Sequence, residues 1–120
     1  MEQKINICSR LMAERGLTIA FAESATAGWL CSEFALTEDS GKVLKGGIDC
    51  YDADLKVSLL KVPQELIDRY TPESMEVTAE MARRLPALIL PIYRSRLRGS
   101  QRPVAARHRK SRLALCSFLR

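Results

Sequence analysis

Charge divides this chain in two. Residues 1–86 carry ten lysines and arginines against fourteen acids, a formal charge of −4, whereas residues 87–120 carry nine basic residues and no acid, a charge of +9. The first stretch has helix and strand periodicity with capping signals. The second, RSRLRGSQRPVAARHRKSRL in its middle, has neither. The change falls near Leu88, so the sequence predicts a folded segment over 1–88 and an anomalous basic tail over 89–120. A body of about 88 residues buries a modest fraction of its surface, and each strand and helix in it counts.

The averaged composition misleads on function class. An isoelectric point near 9.3 ordinarily suggests a nucleic-acid partner, but here it comes from the tail, because the body is acidic. Arg94, Arg96, Arg98, Arg102, Arg107, Arg109, Lys110 and Arg112 would hold phosphate only non-specifically, with steep salt dependence, so no specific nucleic acid is expected. Cys8, Cys31, Cys50 and Cys116 lack metal-ligand spacing and read as small buried hydrophobes of a reducing compartment; no metal is expected. No apolar run is long enough to span a membrane, and MEQKINICSR lacks the apolar core of a signal peptide, so a cytoplasmic protein is expected. The single histidine, His108, lies in the tail. A histidine-based triad in the body is thereby excluded, and lysine is the usual substitute base.

Periodicity sets out the elements. Ile5, Cys8, Leu11 and Met12 recur at helical spacing, with Gly16 as the stop. Leu17–Ala22 is a short apolar run rich enough in β-formers for a buried strand. A second helix is expected from Ala25 to about Leu36, then a loop at Glu38–Gly41, then a strand from Val43 to Tyr51 broken at Gly46-Gly47. Asp52 is placed to cap a helix through Leu55, Leu59 and Leu60. After Val62-Pro63 comes a short helix, Gln64–Tyr70, and Ser74 caps a last one with Val77, Met81 and Leu85 on one face. This order makes an α/β fold that needs further strands to close its sheet.

Ser24 stands where the first strand hands over to a helix, in Ala22-Glu23-Ser24-Ala25-Thr26-Ala27-Gly28-Trp29. The amides and dipole of a first helical turn stabilise an oxyanion or a phosphate, and small residues let a ligand approach the backbone. A serine at such a place is also, more simply, a helix N-cap. Tyr51 and Lys56 on their own read as a strand-end tyrosine and a solvated helix lysine.

Taken together, these residues resemble a known family. Residues 22–29 look like the AES-C-T-G-G signature of the CinA C-terminal domain, the competence/damage-inducible family of nicotinamide-nucleotide amidases. The resemblance continues through Gly47-x-x-x-Tyr51-x-x-x-x-Lys56, Val62-Pro63 and the Ser74 helix, over residues 5–86 or so. It implies a three-layer α/β/α domain, incomplete in this chain, with Ser24 as nucleophile and Tyr51 and Lys56 activating it. Glu23, Ala25, Thr26, Ala27 and Gly28 would line the substrate, with a structural role as the alternative for Glu23. The implied reaction is hydrolysis of the amide of nicotinamide mononucleotide to nicotinate mononucleotide and ammonia, without metal or other cofactor. The implied partner is that small nucleotide, with no membrane, and with a homo-oligomer allowed. A catalytically inactive remnant or interaction protein of the same family is the alternative.

Three positions depart from the family pattern. Ala25 stands for its cysteine, Ala27 for its first glycine, and Lys61 where glycine is more frequent. A Cβ at Ala27 either narrows the approach to the backbone or requires φ < 0 there. The tail departs altogether: the family continues with a strand, T-G-[IL]-A-G-P-G-G and K-P-V-G-T-V. Read one frame over, with permitted third bases, Ser95–Phe118 back-translates to VAVTGLAAPGGSPTPEKPVGTVFI, which is that missing segment in order. The expectation is a single-base deletion, or an equivalent reading error, between about Leu88 and Pro91, and an impaired activity in the chain as it stands.

Overall fold

The computed structural model describes residues 2–99 and 113–116, with side chains described over 4–90. The elements run α1 (Glu2–Glu14), β1 (Thr18–Glu23), α2 (Trp29–Ala35), α3 (Ser40–Val43), β2 (Leu44–Asp49), α4 (Ala53–Ser58), α5 (Gln64–Tyr70), α6 (Met75–Gly99) and β3 (Leu113–Cys116). The strands form one parallel sheet in the order β2-β1-β3, with β1 in the middle.

Strand β1 explains the layering. A central parallel strand is covered on both faces and so reads as a continuous apolar run. Ile19 through Glu23 are all buried. Because side chains alternate across a strand, Ala20 and Ala22 join Cys50, Leu60, Val62, Ile67, Val77, Met81 and Leu85 under α4–α6. Ile19 and Phe21 join Met12, Phe34 and Val43 under α1–α3. Phe21 and Phe34 pack with ring centroids 5.2 Å apart. The result is the three-layer α/β/α arrangement, with a separate core on each face of the sheet.

The second strand is continuous where a break is expected at Gly46-Gly47. The pairing runs Ile19↔Leu44, slips by one residue, and resumes as Ala20↔Gly46 through Glu23↔Asp49. The two glycines therefore sit beside a bulge at Lys45, with Gly46 at φ 129. A Cβ on Gly47 would meet Cys31 Sγ at 3.1 Å and the Phe21 carbonyl oxygen at 3.2 Å, so α2 lies tight on this point of the sheet.

Several expectations are corrected. The buried stripe of α1 is Ser9 and Met12, while Cys8 and Leu11 are exposed. A buried polar pair goes with this orientation: the Ser9 and Thr37 hydroxyls hydrogen-bond at 2.8 Å, and Thr37 Oγ1 also donates to the Phe34 carbonyl at 2.7 Å. Residues 40–43 form a helical turn rather than a loop, and the strand begins at Leu44 rather than Val43. α4 stops at Ser58. α6 extends to Gly99, past Pro86 and Pro91, with Leu88 and Ile89 packed on the core that holds Leu85. The tail also supplies β3, whose apolar Leu113-Ala114-Leu115-Cys116 covers the edge of β1 that β2 leaves open. Arg102, Arg107, His108, Arg109, Lys110 and Arg112 lie outside the described residues. No described helix is long and apolar enough to cross a membrane.

Candidate active site

In open parallel sheets the ligand crevice lies at the carboxyl ends of the strands, where neighbouring connections leave in opposite directions. β1 and β2 end together, Glu23 opposite Asp49, and the amide of Cys50 extends the pairing by donating to the Glu23 carbonyl at 2.8 Å. Ser24 directly follows the first strand, and Tyr51 lies two residues past Asp49, beyond Cys50. Two chemistry-bearing residues, 27 positions apart in sequence, thus follow the carboxyl ends of adjacent strands. Ser24 is half-buried and Tyr51 is 69% exposed.

The helix expected to start at Ala25 starts at Trp29. Residues 24–28 form turns instead, closed by the Ala27 amide donating to the Ser24 carbonyl at 2.9 Å and the Trp29 amide to the Thr26 carbonyl at 3.0 Å. Two consecutive left-handed residues, Ala27 at φ 49 and Gly28 at φ 83, delay the helix. Gly28 takes the N-cap position, so Ser24 is not the cap. The φ < 0 alternative at Ala27 is likewise overturned: the turn keeps its left-handed geometry despite the Cβ.

The amides of that first helical turn are already occupied. Glu23 is 1% exposed, and its Oε2 accepts from the Thr26 hydroxyl at 2.6 Å and the Leu30 amide at 3.1 Å. Its Oε1 accepts from the Cys31 amide at 2.7 Å. The α2 terminus therefore binds the protein's own carboxylate in place of an external anion. The amide of Ala25, directly after Ser24, donates to no group among the described residues. Ala25 and Ala27 are exposed, and Thr26 and Gly28 half-buried.

Lys56 is not solvated. It is 1% exposed on α4, which Asp52 caps by accepting from the Asp54 amide at 2.8 Å. Its Nζ donates to the Pro72 carbonyl at 2.7 Å, in the link between α5 and α6. Among the described residues it makes no hydrogen bond to Ser24 or Tyr51. The Pro72 carbonyl was missed in the sequence because a backbone acceptor carries no residue signature. The sequence leaves Glu23 open between structure and substrate contact because the helix it caps begins six residues later. Burial raises the thiol of Cys50, and the Asp49 carboxylate adds to this, with Lys56 opposing. Clefts of about 200 and 240 Å³ lie between α1 and the α2–α3 segment, lined in part by Asn6, Leu36 and Glu38, and include none of the candidate residues.

A parallel α/β/α sheet with a serine just beyond its central strand defines the class of this domain. The family model for the CinA C-terminal domain matches residues 1–89, and the chain belongs to that family. A CinA-like protein of Prochlorococcus marinus (strain AS9601) is 40% identical over 77 residues, 64% of this chain and 18% of that protein. Another, from Dictyoglomus turgidum, is 38% identical over 72 residues, 60% of this chain and 18% of that protein. A CinA superfamily protein from Escherichia coli has a solved structure that superposes with a TM-score of 0.69 at 28% identity, over 72% of this chain and 51% of that one. The chain thus spans about half the length of that solved relative and under a fifth of the two curated ones.

Proposed function

We propose that this chain carries the nucleophile half of a serine amidohydrolase that acts on the amide of nicotinamide mononucleotide. Ser24 Oγ would attack the carboxamide carbon, giving up its proton to Lys56 in its neutral form, with Tyr51 relaying the proton or orienting the pair. The tetrahedral intermediate would expel ammonia, and water would then hydrolyse the acyl-enzyme to nicotinate mononucleotide. The observation that carries this reading is that Ser24 and Tyr51 both follow the carboxyl ends of adjacent paired strands, with Lys56 buried on the next helix. The Ala25 amide is left as a donor for the oxyanion, as expected of the residue after a nucleophile. No metal step is part of the proposal.

A second reading, a catalytically inactive member of the family, is favoured by one observation: Lys56 Nζ is engaged by Pro72 and not by Ser24. The test is ammonia release from nicotinamide mononucleotide by this chain and by a version restored to the alternative frame after Leu88. The expected result is release by the restored version that disappears in Ser24→Ala, with little or none from the chain as it stands. No release from either supports the inactive reading. Release that survives Ser24→Ala excludes the serine mechanism.

A further inference from the structure

We infer that Glu23 is a positioning residue: its buried carboxylate ties the Ser24–Gly28 turn to the start of α2 and so sets where the Ser24 side chain points, without itself touching the substrate. The part about Ser24 rests on the nucleophile reading above. The tethering does not.

The geometry accounts for the whole carboxylate. Both oxygens are used, and three donors converge on them from three places: the Thr26 hydroxyl within the turn, and the Leu30 and Cys31 amides beyond it. A group 1% exposed has no face left for a ligand. Its own backbone is fixed as well, since the Glu23 carbonyl accepts from the Cys50 amide and the residue pairs with Asp49. The turn is therefore anchored to the rigid sheet at one end and to α2 at the other. The turn needs such a tether because Ala27, at φ 49, holds a conformation that costs a residue with a Cβ free energy. Charge-assisted hydrogen bonds in a dry site are among the stronger ones, and they hold the turn in place against that cost.

Glutamine in place of Glu23 is nearly isosteric but offers one carbonyl oxygen and one amide nitrogen. At least one of the three donors would then face another N–H donor. The local change can be watched directly, because the chain's one tryptophan, Trp29, is the first residue of α2 and 47% exposed. In Glu23→Gln, the Leu30 and Cys31 amides are expected to exchange on the order of tenfold faster or more, with Trp29 emission moving to longer wavelength. The Cys50 amide, on the β1–β2 ladder, keeps its protection. Covalent labelling of Ser24 by a fluorophosphonate probe, read by peptide mass, is expected to fall on the order of tenfold or more, since small misplacements of a reacting group cost that much. Thr26→Val, which removes one of the three bonds, should give a smaller change in the same direction.

The outcomes separate the two claims. If neither this chain nor its frame-restored version labels at Ser24, the nucleophile reading fails, and exchange and Trp29 emission decide the tether alone. Parental exchange and emission in Glu23→Gln overturn the tether. A labelling loss with exchange and emission unchanged overturns positioning in favour of direct contact at the site. Changed exchange with labelling at the parental rate reduces Glu23 to a helix cap and also overturns positioning. Should Glu23→Gln lose the Cys50 protection too, Glu23→Asp and Thr26→Val carry the same comparison.

Discussion

Lys56 reaches across the fold to Pro72: its Nζ donates to the Pro72 carbonyl at 2.7 Å from a side chain that is 1% exposed. This bond joins α4 to the link between α5 and α6, and it sits at the end of a strained step. Thr71, the C-cap of α5, has φ 78 and ψ 153, a region that a β-branched residue strongly disfavours. The lysine is thus a cross-strut of one helical layer as well as the candidate base.

Removing the Lys56 amine should cost stability as well as any chemistry. Lys56→Met keeps most of the apolar stem and leaves the partly buried Pro72 carbonyl without its donor, for an expected loss of about 1–3 kcal/mol in urea unfolding. An unchanged midpoint would mean that the desolvation of Lys56 cancels the bond.

Backbone conformation gives a prediction of opposite sign. Ala27 at φ 49 and Lys61 at φ 60 both hold left-handed geometry without glycine, at the two positions where the sequence stands alanine or lysine for glycine. Relief of the Cβ clash is offset in part by the greater freedom of glycine in the unfolded chain. Ala27→Gly and Lys61→Gly should therefore each stabilise by about 0.5–1 kcal/mol. The two sites are on different elements, so the double variant should show a near-additive gain in the same denaturation assay. Loss of stability at either site would contradict the strain.

What was legible in the sequence follows from the range of each interaction. α5 is read at its exact bounds, Gln64–Tyr70, and Ser74 caps as expected, accepting from the Val77 amide at 3.2 Å, because these signals lie within one helical turn. The face Val77, Met81, Leu85 is buried as the spacing implies. The start of α2 was misplaced because a capping carboxylate six residues upstream, and two left-handed residues, leave no periodic mark. β3 was missed because a four-residue apolar run means nothing until β1 offers it an edge. At the site, Ser24, Tyr51 and Lys56 were found by resemblance, whereas the Thr26–Glu23 bond and the Pro72 carbonyl became visible only in the fold.

Two thiols predict an alkaline weakening. Burial raises the Cys31 thiol above its ordinary value, and the Glu23 carboxylate adds to this; Cys50 is raised by burial and by Asp49. A raised thiol keeps its proton longer in the folded chain than in the unfolded one. Its contribution is therefore complete below the unfolded value, about 8.5, and is lost as the pH climbs through the folded one. Stability should fall as the pH rises above about 8.5, and the fall should be shallower in Cys31→Ala/Cys50→Ala. Comparing the pH slopes, not the absolute stabilities, separates this from the cavities the double variant creates. Equal slopes would remove the thiols from the account.

The close approach of α2 to the sheet at Gly47 gives the last structural prediction. Gly47 pairs with Phe21, and a Cβ there would lie 3.1 Å from Cys31 Sγ, 3.2 Å from the Phe21 carbonyl oxygen and 3.3 Å from Phe21 Cβ. The sulfur could move, but the Phe21 backbone is held in the centre of the sheet and cannot. Gly47→Ala should therefore cost about 1–3 kcal/mol through overpacking. Because Tyr51 lies two residues past the end of the strand that carries Gly47, the displaced strand should also move Tyr51 relative to Ser24. Cys31→Ala removes the sulfur and should recover part of the loss, whereas the contact with Phe21 remains. A Gly47→Ala variant as stable as the parent would mean that β2 can shift along its bulge at Lys45, and that the spacing between Ser24 and Tyr51 is set elsewhere.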